Sequence, residues 1–236
     1  MFQGDSYVIP YQYDGVYGRK YIIYFWLGKD STQDEQAAAA IYSVVVDRKL
    51  NGEAELVRVP QGEEPKHFLK IFNGRLVTLT GGKASGFRNT NQKDTYDNDG
   101  VRLFKIYGTE AGVDLRADQV PEEVSSLQSD DVFLLETPEK VYLWYGQGSS
   151  EVERQEAIEF VHKILGANTE YEVVRQNEEP VDFWNNLNGD KTQVQSAEQW
   201  RERIGKRVGV EPRLFEVDLK SDNTYDFEEV YSFKQR

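Results

Sequence analysis

The sequence contains no cysteine. That excludes disulfides, thiol nucleophiles and thiolate zinc sites, and it fits a reducing cytosol. Histidine is nearly absent: His67 and His162 are the only two, each among helix-forming residues with no serine partner close in sequence. No phosphate-cradling loop of Walker type occurs, because Gly81-Gly82-Lys83 lacks the required spacing. Acidic pairs are plentiful, so residue types alone leave a glycosidase-like pair open. The overall expectation is that the chain is not an enzyme. No apolar run approaches the roughly 18 residues that span a bilayer. The longest, Tyr21–Leu27 and Val141–Tyr145, are strand-length. No basic–apolar–small leader opens the chain, and Met1-Phe2-Gln3-Gly4-Asp5 reads as a cut just before a strand, inside a longer protein. Basic residues number 28 against 41 acidic, for a net charge of −13. A nucleic-acid binder that displaces counterions needs a basic face, and none is visible. The carboxylate surplus suits either a solvated acidic surface or a hard cation such as calcium.

What is present is material for cores, with 39% hydrophobic and 13% aromatic residues in 236. An internal repeat organises it. Tyr24-Phe25-Trp26-Leu27-Gly28 matches Tyr142-Leu143-Trp144-Tyr145-Gly146. Three residues past each glycine stands a serine, Ser31 or Ser149, and four further on a glutamate, Glu35 or Glu153. Glu63-Glu64-Pro65 matches Glu178-Glu179-Pro180, and the segment from Phe68 to Asn73-Gly74 matches that from Phe183 to Asn188-Gly189. Upstream, Gly4-Asp5-Ser6-Tyr7-Val8-Ile9 matches Asp130-Asp131-Val132-Phe133-Leu134-Leu135. A third copy starts near the end, where Arg102-Leu103-Phe104-Lys105-Ile106 recurs as Arg213-Leu214-Phe215-Glu216-Val217.

Each full copy reads as a strand hairpin, a long helix, a short strand, and a short helix closed by Asn-Gly. The fold class is therefore α+β, a sheet covered by helices in tandem domains. The expected division is a first repeat over 1–80, a linker over 81–100, a second repeat over 101–190, a linker over 191–210 and a partial third repeat over 211–236. Ser196–Arg207 has helical character, and the partial repeat is expected to dock on the second or to be mobile.

The two long helices differ. In Ser150–Leu165, residues Ala157, Ile158, Phe160, Val161, Ile164 and Leu165 fall within roughly 160° of the axis, an ordinary helix with one wet face. Thr32–Leu50 carries Ala37 to Ala40, Ile41, Tyr42, Val44, Val45, Val46 and Leu50, with no wide polar face. A helix apolar all round is covered on more than one side. Either a neighbouring repeat hides the far side, or that side fills a partner's groove. Ile41 and Val45 lie at roughly 40–80° on the wheel and Ala39, Val46 and Leu50 at roughly 180–220°, so the sequence leaves open which stripe meets the sheet. Thr32-x-x-Glu35 and Ser150-x-x-Glu153 are capping boxes by spacing, in which the glutamate satisfies an orphan backbone donor.

Together, Gly4-Asp5-Ser6-Tyr7, Phe25-Trp26-Leu27-Gly28, Ser31-Thr32-Gln33-Asp34-Glu35 and Gln61-Gly62-Glu63-Glu64-Pro65 resemble the gelsolin/villin family of actin-severing and capping proteins. The resemblance covers essentially the whole chain. With Ser129–Phe133 and Tyr142-Leu143-Trp144 in the second copy, the order looks most like repeats four and five of six plus the start of six. Repeats one and two are the other assignment, on Gly81-Gly82-Lys83-Ala84-Ser85-Gly86-Phe87. The resemblance implies gelsolin-like domains, each a central mixed sheet flanked by one long and one short helix. It implies actin and neighbouring repeats as partners, calcium as the cofactor, and a place in the cytoplasmic cytoskeleton.

By the same resemblance, one calcium site pairs Asp5 with Glu35, completed by the carbonyls of Gly4 and Lys83. A second pairs Asp131 with Glu153, completed by the carbonyl of Asp130. A further site, shared with actin, is implied at Asp47, the carbonyls of Gly52 and Ala54, and Glu64. The second repeat has Leu165 where the first has Asp47, so only the first repeat is expected to form it. Ile41 is implied as the residue inserted into actin, with Val45 beside it. A phosphoinositide site on Lys83, Arg88 and Lys93 is a lesser reading than a solvated linker. A calcium-independent interaction module of the same fold is the alternative function.

Overall fold

The computed structural model describes residues 1–16, 18–83, 100–196, 198–199, 214–219 and 225–230. The first repeat builds a three-stranded mixed sheet. Strands β1 (Ser6–Gly15) and β2 (Gly18–Leu27) form a ten-residue antiparallel hairpin, and β3 (Ala54–Pro60) adds parallel to β2. The second repeat places β5 (Arg102–Tyr107), β6 (Arg116–Val120), β7 (Val132–Glu136), β8 (Val141–Tyr145) and β9 (Glu172–Arg175) in one sheet, again with a parallel last strand. The long helices are α1 (Gln33–Lys49) and α3 (Glu151–Leu165); the short ones are α2 (Lys66–Ile71) and α4 (Val181–Asn185). Thr32 and Ser150 are the N-caps of α1 and α3, and both capping boxes close as their spacing requires. The β-rich apolar runs become central strands with both faces covered, which is why Tyr21–Leu27 shows no clean alternation.

One boundary moves. Strand β4 (Leu76–Thr78), expected in the first repeat's span, pairs parallel with β6 and makes the second sheet six-stranded, in the order β4-β6-β5-β7-β8-β9. The start of the chain follows it: Gln3 N donates to Leu79 O, and Gln3 Nε2 to Gln119 O. The short α2 ends in left-handed Asn73 and Gly74, where the chain must turn at once towards the neighbouring sheet. Residues 191–195 similarly return to the second repeat, with Gln195 N bonded to Leu127 O. The expected helix over Ser196–Arg207 lies mostly outside the described residues. Strands β10 (Leu214–Leu219) and β11 (Tyr225–Val230) pair with one another.

The second sheet is buried on both faces. One face packs Leu103, Phe133, Leu135, Trp144, Phe183 and Leu187 under α4, and the other packs Phe104, Ile106, Leu134, Leu143, Phe160 and Val161 under α3. In the first repeat, the α2 face carries the core, with Ile22, Tyr24, Trp26, Val59 and Phe68. Among the described residues no helix is long and apolar enough to cross a membrane.

Candidate functional site

The entry of β1 fixes the first carboxylate. Gly28 N donates to Asp5 O at 3.0 Å, and a Cβ at Gly28 would lie 2.1 Å from Gln3 O, so only glycine lets the Trp26 strand end this close. Gly4 N donates to Gly81 O at 2.8 Å, and the Gly81-Gly82 backbone lies flat on Gly4. This delivers Lys83 N to Asp5 Oδ1 at 2.8 Å, while the Tyr7 hydroxyl donates to Asp5 Oδ2 at 3.1 Å. Glu35 approaches from the first turn of α1, its Oε2 held by Thr32 N at 2.8 Å. Asp5, Glu35 and Lys83 thus line one cavity of about 540 Å³, with Tyr7, Ala38 and Tyr42 among its other walls. Gly4 adjoins this cavity through its bond to Gly81. The capping role of Glu35 is compatible with this position, because the cap bonds engage Oε2.

The second repeat reproduces the frame. Gly146 N donates to Asp131 O at 3.1 Å, and Ser150 N to Glu153 Oε2 at 2.8 Å. Asp131 and Glu153 are buried, 8% and 6% exposed. Burial pushes the Asp131 carboxyl up to about 6 against the pull of Lys105, and the neighbouring charges of Asp130 and Glu153 push the same way as burial. Asp130 Oδ1 is buried without a hydrogen-bond partner. Sequence reasoning missed Lys105, whose Nζ sits 2.9 Å from Asp131 Oδ2. The available signal was a lysine inside the apolar strand run Leu103-Phe104-Lys105-Ile106.

The shared-site set divides. Asp47 Oδ1 accepts from Ala54 N at 2.9 Å, and Gly52 N donates to Asp47 O at 3.0 Å across a turn with left-handed Asn51 and Gly52. Asp47, Gly52 and Ala54 are therefore one local unit. Glu64 has other partners. Its side chain is 2% exposed and is enclosed by Trp26 Nε1 at 2.9 Å, Gly62 N at 3.0 Å and the guanidinium of Arg116. The same arrangement recurs at Glu179, which accepts from Trp144 Nε1 at 2.8 Å and Asn177 N at 3.0 Å. Glu64 is thus the carboxylate that satisfies a buried indole. The repeated Trp–Glu pair was its sequence signal. Among the described residues no group of three or more His, Cys, Asp or Glu side chains forms a ready-made metal cluster.

The model of the gelsolin repeat matches residues 2–69 and 114–184, more than half of the chain. The chain belongs to the gelsolin-repeat family. It is 46% identical to a cytoplasmic gelsolin of Homarus americanus over 234 residues, 99% of this chain and 30% of that protein. It is 38% identical to advillin of Mus musculus over 93% of this chain and 25% of that one. It is 36% identical to a gelsolin of Xenopus laevis over 93% of this chain and 50% of that one. The chain thus spans a quarter to a half of the length of these relatives. A solved complex of Thorarchaeota 2DGel3 with rabbit actin aligns with 79% of this chain and 89% of that one at 24% identity, with a TM-score of 0.30.

The two gelsolin repeats present different outer surfaces. Helix α3 is tied down: Arg75 bridges Glu156 and Glu159 at 3.0 and 3.3 Å, and Lys163 Nζ bonds to Arg75 O. Helix α1 rests on its own sheet through Ala39 and Ser43, and its outer side shows Ile41 at 67%, Tyr42 at 56%, Val44 at 39% and Val45 at 37% exposure. The stripe left open by the sequence is resolved: the Ala39 side faces the sheet.

Proposed function

We propose that this segment of a gelsolin-family protein binds actin through α1 of the first repeat, under calcium control, in the cytoplasm. The observation that carries it is the apolar outer side of α1, centred on Ile41 and Val45, which the sheet does not use and no described residue of the second repeat covers. Scattered exposed aliphatics are ordinary, but three aliphatics and a tyrosine on one helical surface form a patch. A helix offering aliphatic anchors suits insertion in a groove.

The donor sets fit calcium, a hard ion that takes carboxylate and carbonyl oxygens from separate segments. Asp5 and Glu35 with the carbonyls of Gly4 and Lys83 would hold one ion, and Asp131 and Glu153 with the carbonyl of Asp130 a second. Asp131 and Glu153 are both buried, and the neighbouring Asp130 Oδ1 is buried without a hydrogen-bond partner, which supports an anionic site there. Asp47 with the carbonyls of Gly52 and Ala54 would contribute a third, completed by actin, with Glu64 left in its structural place. Bound calcium would supply a cross-link between strand entry and helix start, fixing the angle at which α1 is presented. The phosphoinositide reading is the weaker one: Lys83 belongs to the Asp5 cavity, and Arg88 and Lys93 lie outside the described residues. The whole protein's severing, capping or bundling activity is a further proposal, drawn from the family alone.

The test is Ile41→Asp with fluorescently labelled monomeric actin, with calcium and with chelator. Binding should weaken more than tenfold while the melting temperature holds, since a central aliphatic anchor is typically worth about 2 kcal/mol or more. Asp47→Ala should weaken binding only with calcium present. Unchanged affinity for Ile41→Asp removes α1 as the actin surface, and unchanged behaviour with and without calcium favours the calcium-independent module.

A further inference from the structure

The second repeat's carboxylate cluster already contains a cation. Lys105 reaches from β5 so that its Nζ lies 2.9 Å from Asp131 Oδ2 and donates to Gln128 Oε1 at 2.5 Å. The pair is nearly dry, with side chains 13% and 11% exposed. The ammonium also lies 4.9 Å from the centroid of the Tyr107 ring, a cation–π contact. Across the site, Gly108 N at the end of β5 donates to Glu153 Oε1 at 3.4 Å, so this strand contacts both carboxylates. The first repeat differs. There the Asp5 carboxylate receives two uncharged donors, the Lys83 amide and the Tyr7 hydroxyl.

A calcium ion on Asp131 would stand about 2.3–2.6 Å from its oxygens. The Lys105 ammonium, in hydrogen-bond contact with one of those oxygens, would then lie a few ångströms from a doubly charged ion in a low-dielectric setting, where repulsion is strong. The four-carbon stem lets it swing away. Doing so gives up Asp131, Gln128 and Tyr107 together. On the reading that the second repeat binds a divalent cation at Asp131 and Glu153, we propose that Lys105 is a tethered counter-cation that calcium must displace, so that Lys105 sets a higher calcium threshold for this site than a neutral residue would.

Calcium titration calorimetry on the whole chain tests this, with the calcium dependence of the melting temperature as a second readout. Asp131→Asn/Glu153→Gln identifies the heat that belongs to the second repeat; if no heat is lost, the cation-site reading itself fails, separately from the lysine proposal. Lys105→Gln should tighten that identified site at least tenfold and leave the remaining heats unmoved. Lys105→Met, which keeps most of the stem, should do the same and substitutes if Lys105→Gln does not fold. Lys105→Arg, which keeps the charge, should not tighten it. Lys140→Gln makes the same change of net charge at an exposed ion pair with Glu172, 55% and 49% exposed, and should shift no site more than twofold. An identified site of unchanged or weaker affinity in both Lys105→Gln and Lys105→Met overturns the proposal.

Discussion

Glu64 and Glu179 sit at matching places in their repeats and satisfy matching tryptophans, yet their surroundings differ. Glu64 also meets Arg116 of the other repeat and is 2% exposed in its side chain, whereas Glu179 is only half-buried. Glu64→Ala would leave an indole N–H, the Gly62 amide and a largely buried guanidinium without their acceptor. Loss of one partner of a buried pair costs about 3–5 kcal/mol. Denaturant unfolding should therefore show a larger loss for Glu64→Ala than for Glu179→Ala, and the reverse order would refute this account of the pair. Asp114 offers a second residue-level check. Burial alone would raise its carboxyl, but hydrogen bonds from the Thr109 hydroxyl and the amides of Thr109 and Glu110, with the Lys66 ammonium at 3.5 Å, hold it below its usual range. A depressed carboxyl contributes stability that is present above the unfolded value of 3.8 and lost as pH falls through the folded one. Asp114→Asn should lower stability at neutral pH by about 1 kcal/mol or less, because the ion pair is partly exposed. It should also flatten the acid limb of the stability curve below pH 4, and parallel acid limbs for the two proteins would count against it.

Helix α1 is the element on which the actin reading turns. Its inner stripe is built of small residues, Ala39 and Ser43, and the Ser43 hydroxyl is turned back onto Ala40 O at 2.7 Å. Small residues let the helix lie close on β2, so its larger aliphatics are left for the outer side. A side chain enlarged on the inner stripe has no space to enter. Ser43→Leu should cost about 1–3 kcal/mol by overpacking. Val45→Asp, on the outer side, should change stability by no more than about 0.5 kcal/mol. Thermal melts of the two variants check the helix's orientation independently of any partner, and comparable losses from both would mean that the outer side is packed in solution.

At the scale of the molecule, the first repeat gives a strand to the second. With β4 in the six-stranded sheet, the repeats are joined by ladder bonds, by Gln3 and Thr80 on Gln119, and by the charged contacts Glu64–Arg116, Lys66–Asp114 and Arg75–Glu156. Such a seam should make the two repeats unfold together. Arg116→Glu sets like charges against each other at a site with almost no water. It should split a single calorimetric transition into two and enlarge the scattering radius of the chain. A single transition at the wild-type temperature would show that the strand alone couples the repeats.

The sequence by itself determined the repeat, the two kinds of sheet strand, both capped long helices and the carboxylates at each strand entry, because these are written in periodicity, capping spacing and glycine position. Gly28 and Gly146 match by spacing alone, since the close approach of backbone behind each tryptophan strand permits nothing larger at either place. Tertiary structure decided what local pattern leaves degenerate. A helix apolar on all sides can lie on a sheet either way round, and the small volume of Ala39 and Ser43 selects the inner side only once the sheet is present. A three-residue strand such as Leu76–Thr78 has no preference for its own repeat, and the open edge of β6 claimed it. Long-range partners settled the roles of the charges: Glu64 was drawn to Arg116, 52 residues away, and Lys105 to Asp131, because buried charges go where a counter-charge and a hydrogen bond await them.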